Sequence, residues 1–382
     1  MRITDIQTLR VRVPNDTWDI IRILTDEGVY GWGEVSSSLD ILGVYSSVDE
    51  MKKLVIGHSP SEVESLTYMM ESWVYPSRKD MRCHRSAISG INQALWDLFA
   101  KEVDLPLYRL YGSNRKSVPL YANLNKALRN NRDASLMGKN AEKAMKEGFA
   151  FVKCTPFDEI QPTSINLNFS ESFDKLEAVI EAAKIENTAI DCHQRFTRYS
   201  LSQMIERVER QFGIPYWIED TVEIQDYDAQ RTVVNRFPEI RFAAGEDAIN
   251  PGQIAKTVNS NCYDVIMPDV KYIGGPSAVK SAVSYAETQG KLVSLHNPNG
   301  LISTAHSAHL TSVLRTILPM EFPYMATPDR KEMAYPTENI VDGEYIFNEA
   351  PGIGVELKEE LLIDSGEILE NGNWHKYQRR GM

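Results

Sequence analysis

Seven short apolar runs in this 382-residue chain each end on a side chain able to bind a metal or move a proton. They are FAFVK ending at Lys153, TAID at Asp191, YWIE at Glu219, FAAGE at Glu246, DVIMPD at Asp269, LVSLH at His296 and ILPME at Glu321. Asp191, Glu219 and Glu246 are consecutive in that series, so their carboxylates can converge as all-oxygen ligands. Hard oxygen donors with room left for water and substrate suit Mg²⁺, and Mn²⁺ fits the same set. Without a cation, three such carboxylates would repel and raise one another's pKa values. One acid of this kind is ordinarily a helix cap or a solvated loop residue. Three in register point to a metal site.

The other end residues read as acid–base machinery. An Asp269 carboxylate bonded to one ring nitrogen of His296 would fix its tautomer and make the other nitrogen a competent general base. His193 stands two residues beyond Asp191 in D-C-H, where it could protonate a group leaving a metal-bound ligand. The remaining histidines carry less promise. His306 and His309 fall on a helical stretch past a strand end, while His58, His84 and His375 fall outside the repeats.

These residues need a scaffold that brings them to one rim. The end points recur roughly every 23 to 38 residues, the length of one strand, one helix and two loops. Continuous apolar strands separated by helical stretches are the pattern of parallel sheet buried on both faces. Helical spacing is clear in 172–186, with Phe173, Leu176, Ile180 and Ala183, and in 201–212, which Gly213 ends. YANLN at 121–125 supplies a first strand and brings the candidates to eight, which favours a closed barrel over an open sheet. In such a barrel the catalytic groups lie at the C-terminal strand ends.

The N-terminal part follows another plan. RVRVP and DIIRILTDEGVYGWGE alternate through the turn residues Asp26, Glu27 and Gly28, predicting an antiparallel meander followed by helices. The expected organisation is an α+β capping domain over 1–113, a barrel over 114–350, and a C-terminal segment over 351–382 packing on the capping domain.

Composition narrows the class. A charged fraction of 25% and an apolar fraction of 42%, with no run long enough to span a bilayer, describe an ordinary soluble protein. The alternating N-terminus lacks the apolar core of a secretory signal, so a cytoplasmic location is expected. Cys83, Cys154, Cys192 and Cys262 are scattered without CxxC spacing and read as reduced thiols. A net charge of −12 argues against a nucleic-acid partner. It would also repel an anionic substrate unless a cation and local Lys or Arg overcome the field.

With those residues in place, the chain resembles the enolase superfamily, in its mandelate racemase subgroup, over nearly its whole length. SAISGINQALWDLFAKEVDLPLYRLYG, from Ser86 to Gly112, resembles the family's passage into the barrel, and YWIED, FAAGED, VIMPDVKYIGG and LHNPNG resemble its fourth to seventh strand ends. The resemblance implies a capping domain on a (β/α)₇β modified TIM barrel. It also implies one Mg²⁺ per subunit, which stabilises the enediolate formed when the proton α to a carboxylate is removed. By position, Asp191, Glu219 and Glu246 match the metal ligands, Asp269 and His296 the dyad, and Glu321 the acid that hydrogen-bonds the substrate carboxylate. Homo-oligomers of even order are common among such relatives, and that partner is expected here beside a small acid-sugar substrate.

Two departures sharpen the expectation. Racemases of the subgroup carry Lys-x-Lys on the second strand, where this chain has Lys153, Cys154 and Thr155. Threonine cannot serve as the opposed base, so one-sided proton abstraction followed by elimination is favoured, with Lys153 left to hold the substrate carboxylate. The Asp191-x-His193 pattern resembles acid-sugar dehydratases, in which the histidine protonates the leaving 3-hydroxyl. The expected function is therefore Mg²⁺-dependent dehydration of an aldonate or aldarate to a 2-keto-3-deoxy sugar acid. The alternatives are a racemase or epimerase using His296 and a second base such as Lys153, and a non-catalytic ligand-binding protein. Specificity is expected from 14–18, 37–45 and the loop 156–170.

Overall fold

The computed structural model describes residues 1–13, 16–35, 41–73, 81–129, 131–161, 168–223 and 225–366. The specificity segments named above lie partly outside these residues, at 14–15, 37–40 and 162–167, as do His375 and the tail from 367.

The N-terminal unit is an antiparallel sheet under helices. Its strands are β1 (Ile3–Val13), β2 (Asp16–Thr25) and β3 (Tyr30–Val35). Gly28, at φ 77°, turns the chain between β2 and β3. Ile20, Ile21 and Ile23 of β2 are all buried, because the middle strand is covered on both faces. The helices are α1 (Ile41–Val55), α2 (Val63–Trp73), α3 (Arg82–Glu102) and the single turn α4 (Leu107–Leu110). α3 is buried along most of its length since it lies between this sheet and the barrel. On one side Gly33 of β3 meets it so closely that an added Cβ would stand 1.9 Å from the Gly90 carbonyl oxygen. On the other, Asn92 and Trp96 each donate to Ser277 Oγ at 2.9 Å.

The barrel runs β4 (Ser117–Asn123), α5 (Ala134–Lys146), β5 (Val152–Cys154), α6 (Ser170–Ala183), β6 (Thr188–Asp191), α7 (Arg198–Gln211), β7 (Trp217–Glu219) and α8 (Tyr227–Arg236). It continues with β8 (Phe242–Ala244), α9 (Pro251–Asn259), β9 (Val265–Ile266), α10 (Gly275–Thr288), β10 (Leu292–Val293), α11 (Leu301–Thr311) and β11 (Met320–Pro323). Strands β4 to β10 pair in chain order, and β11 pairs in parallel with β4. Ser294 Oγ donates to the Pro319 carbonyl at 2.7 Å across the remaining seam. This is the (β/α)₇β barrel with an α+β cap that the sequence predicts.

The ladders are shorter than the apolar runs. β9 and β10 hold two residues each, and Asp269 and His296 lie three residues past them, joined by one isolated parallel bridge. Glu246 lies two residues past β8, after Gly245 at φ 125° turns the backbone away. Glu246, Asp269 and His296 therefore stand on the opening loops, while Lys153, Asp191, Glu219 and Glu321 lie within their strands.

Beyond the barrel come β12 (Ala334–Tyr335), β13 (Ile340–Val341), β14 (Glu344–Ile346), β15 (Glu356–Leu357) and β16 (Leu362–Asp364). β14 adds to β4, and β16 pairs with β1. The buried Asp97 carboxylate accepts from Trp32 N at 2.9 Å and Ile353 N at 2.8 Å, tying the returning chain to the cap. Among the described residues no helix is long and apolar enough to cross a membrane.

His306 and His309 prove to be core groups. Their Nε2 atoms bond the Trp32 and Ile353 carbonyls at 3.1 Å, and His309 stacks on Tyr108 and Phe347. Burial pushes both pKa values down to about 3, so both are neutral in the folded chain. An unfolded histidine titrates near 6.5, so below that pH the unfolded state binds the extra protons. Stability is therefore full above about pH 6.5 and falls as pH drops, by up to about 1.4 kcal/mol per pH unit for each ring. Urea midpoints at pH 7.5, 6.0 and 5.0 are expected to decline, and His306→Gln/His309→Gln should flatten the decline. An unchanged slope in that variant would assign the acid sensitivity elsewhere.

Candidate active site

The barrel interior explains why the site faces up. Tyr121, Phe151, Ala189, Trp217, Ala243, Val265 and Met267 form a closed plug, with the Tyr121 and Phe151 rings stacked at 4.5 Å. Side chains repeat every second residue along a strand, so the next inward position is the barrel mouth. From Tyr121 that step gives Asn123, from Phe151 Lys153, from Ala189 Asp191, from Trp217 Glu219, and from Met267 Asp269. Trp217 also donates its indole N–H to Glu219 Oε2 at 2.6 Å, fixing one carboxylate oxygen.

Asp191 and Glu219 are register partners on β6 and β7 and are fully buried, while Glu246 is partly exposed beside them. Lys153 Nζ lies 2.6 Å from Glu219, 3.1 Å from Glu321 and 3.8 Å from Asp191. It thus reaches into the carboxylate row itself. Burial, together with the charges of Asp191, Glu321 and Glu246, pushes the Glu219 carboxyl up to about 8 despite Lys153. Asp191 goes the other way. Burial works against ionisation there, but His193, Lys153 and the hydrogen bonds from His193 hold its pKa below the usual carboxylate range.

A histidine flanks the row at each end. His296 Nε2 is 2.9 Å from Glu246, and its Nδ1–H donates to the buried Asp269 at 2.8 Å. His193 Nε2 is 3.1 Å from Asp191, and its Nδ1 is 2.9 Å from Asp158. Burial lowers the basicity of both rings, but the facing carboxylates more than offset it and both pKa values are raised. His193 and Gln194 hold left-handed φ values of 45° and 57°, which places the His193 ring at the rim and lets its N–H donate to Asp191 Oδ1 at 3.1 Å. Strain of this kind collects at functional sites.

The structure thus brings Lys153, Asp191, His193, Glu219, Glu246, Asp269, His296 and Glu321 to one mouth. The donor set fits a hard divalent cation: carboxylates on neighbouring strands, one of them pushed toward neutrality by its neighbours, and a buried Asn125 Oδ1 without a partner beside them. Among the described residues the carboxylates found with one oxygen each within 4.8 Å of one another are Asp220, Glu246 and Asp247, a set that shares only Glu246 with the triad read from the sequence. Thr155 stands where the second lysine of a racemase would be, its hydroxyl 3.4 Å from Asp191.

Several contributors escape the sequence reading. Asn123 donates to Glu321, and Asn125 donates to Asp191 at 3.3 Å, so the paired asparagines of YANLN were the available signal. Asp158, clamped by Arg132, carries no local pattern at all. Glu34 reaches from the cap to accept from Gly300 N at 2.8 Å, Ser303 N at 3.0 Å and Lys271 at 3.3 Å, fixing the loop that follows His296. Asn299 steadies Asp269 at 3.2 Å.

The Asp158 contact is testable. Asp158→Asn is expected to lower turnover roughly 10- to 100-fold by releasing the His193 tautomer, with little change in stability, since the pair is one-third exposed. Steady-state kinetics and a thermal melt check it, and unaltered turnover would make the contact ornamental.

This cap on this barrel, with its acidic row and flanking histidines, defines a superfamily. Residues 136–361 match the family model described as enolase C-terminal domain-like, and residues 2–112 match the mandelate racemase/muconate lactonizing enzyme N-terminal domain. The chain belongs to the enolase superfamily, in the mandelate racemase subgroup. It is 28% identical to a D-gluconate dehydratase of Thermoproteus tenax, over 90% of this chain and 68% of that protein. It is 27% identical to a D-xylonate dehydratase of Haloferax volcanii, over 96% and 90%. A D-galactonate dehydratase of Pectobacterium atrosepticum is 26% identical, over 95% and 94%. Among solved structures, an enolase superfamily member from Salmonella Typhimurium superposes with a TM-score of 0.85 at 23% identity, over 94% of this chain and 97% of that one.

Proposed function

We propose that the chain is a Mg²⁺-dependent hydro-lyase that dehydrates an acid sugar to its 2-keto-3-deoxy acid. The carrying observation is a histidine at each end of the carboxylate row, each backed by its own aspartate. Relatives named for gluconate, xylonate and galactonate dehydration support the same class. Asp191, Glu219 and Glu246 would hold the cation. When bound it supplies positive charge against the second negative charge that develops on a carboxylate losing its α-proton.

The chain's own residues divide the remaining work. Lys153, with Glu321, holds the substrate carboxylate over the row. His296, oriented by Asp269, takes the proton from C2 through Nε2. His193 gives a proton to the hydroxyl on C3 as the C3–O bond breaks, so water leaves and a C2–C3 double bond forms. The resulting enol tautomerises to the 2-keto acid. Thr155 cannot return a proton to the opposite face of C2, which disfavours racemisation.

The test is a screen of aldonates and aldarates with Mg²⁺, following 2-keto-acid formation, run in D₂O. Product with deuterium at C3 is expected. Deuterium at C2 with inversion and no 2-keto product would replace this reading by an epimerase.

A further inference from the structure

One carboxylate of the cap holds both of the loops that hold Asp269. Glu34, near the end of β3, is fully buried where the cap meets the barrel. Its backbone is fixed from α3, since Gln93 Nε2 donates to the Glu34 carbonyl at 2.8 Å. Its side chain crosses to the barrel and divides there. Oε1 accepts from Gly300 N at 2.8 Å and from Lys271 Nζ at 3.3 Å, while Oε2 accepts from Ser303 N at 3.0 Å. The N–H groups in the first turn of a helix have no partners within it, and Gly300, at the N-cap of α11, has no side chain to satisfy them. Glu34 supplies that cap from the other end of the chain.

Both recipients lead to Asp269. Lys271 follows it by two residues and gives its own backbone N–H to Asp269 Oδ1 at 2.7 Å. Asn299, just before Gly300, donates from Nδ2 to both Asp269 oxygens, at 3.3 and 3.2 Å. Asp269 in turn receives the Nδ1–H of His296 at 2.8 Å. The grip is tight at Gly300, where an added Cβ would stand 2.7 Å from the Trp18 ring and 2.8 Å from Glu34 Oε2. Other contacts between cap and barrel lie off this route, such as Lys280 of α10, whose Nζ sits 4.7 Å from the Trp96 ring and 4.8 Å from the Tyr111 ring. We infer that Glu34 is a positioning residue for proton abstraction, so that the orientation of His296 depends on the docked cap. The inference rests on the dehydratase reading for the role of His296.

The experiment uses Glu34→Gln, which keeps the size of the buried side chain and one acceptor oxygen but loses the pair with Lys271. Lys280→Met, which loosens the cap away from Asp269, is the control. With the Mg²⁺-loaded protein and an acid sugar it dehydrates, Glu34→Gln should lower kcat roughly 10- to 100-fold, the scale of a misplaced reacting group, with KM nearly unchanged. Lys280→Met should keep the kcat of the unsubstituted protein. Hydrogen exchange followed by mass spectrometry needs no substrate. In Glu34→Gln the backbone N–H groups of 268–273 and of 297–304 should both exchange at least about tenfold faster, since each loop loses a bond to a buried charge. Faster exchange in 297–304 alone would leave Glu34 a helix cap and overturn the inference. So would the same change at 268–273 in Lys280→Met, which would make it a general effect of a loosened cap. If no acid sugar is converted, the dehydratase reading fails by itself, and exchange at 268–273 still decides whether Glu34 braces Asp269.

Discussion

His296→Asn is expected to lower turnover by at least about 10³-fold and to abolish deuterium exchange at C2. Asparagine reaches the position of the ring Nδ1 and can keep a bond to Asp269, so what is lost is the Nε2 atom facing the mouth. Asp269 also keeps its other partners, Lys271 N at 2.7 Å and Asn299 Nδ2 at 3.2 Å, so no buried carboxylate is stranded. The loss should therefore fall on kcat, with the melting temperature nearly unchanged. Exchange at C2 that survives the substitution would mean another group removes the proton. Lys153, seated among the carboxylates, would then be the next candidate, with Lys153→Met the decisive variant.

The barrel was legible because its signal is repeated. Each strand is too short to identify alone, and β9 and β10 are two-residue ladders, yet the recurrence of apolar run, polar end and helix survives that brevity. Where ladders stop was not legible. That depends on local backbone turns, as at Gly245, whose positive φ carries Glu246 past its strand.

The site divides along the same line. Asp191, Glu219, Glu246, Asp269 and His296 could be read because each ends an apolar run, and for Asp191, Glu219 and Asp269 the two-residue step from the plug to the mouth turns register into direction. Asp158, Arg132 and Glu34 could not. Asp158 comes from a loop and meets His193 across 35 positions, while Glu34 meets Gly300 across 266. Such partners are set by how two loops or two domains pack, and no local periodicity records that. Lys153 sits between the cases. Its place at a strand end was legible, but its seat among the carboxylates follows from the inward pitch of β5 and the burial of three acids that need a cation near them.

His193→Asn is expected to separate the two halves of the reaction. Formation of 2-keto acid should fall by roughly 10²- to 10⁴-fold, the usual contribution of a placed general acid, while exchange of the C2 proton continues. The choice of asparagine follows from the backbone. His193 sits at φ 45°, a region that asparagine enters more readily than most residues, so the loop and the neighbouring Asp191 should keep their places. In that variant His296 still removes the C2 proton and the enediolate has no acid to help expel the hydroxyl, so it takes a solvent-derived deuteron back from His296 on the same face. Substrate recovered from D₂O should carry deuterium at C2 with its configuration retained, because Thr155 offers no base opposite. Inverted configuration would reveal a second proton carrier on the far face. Exchange that falls in parallel with product would make His193 part of proton abstraction, and the division of labour between the two histidines would be wrong.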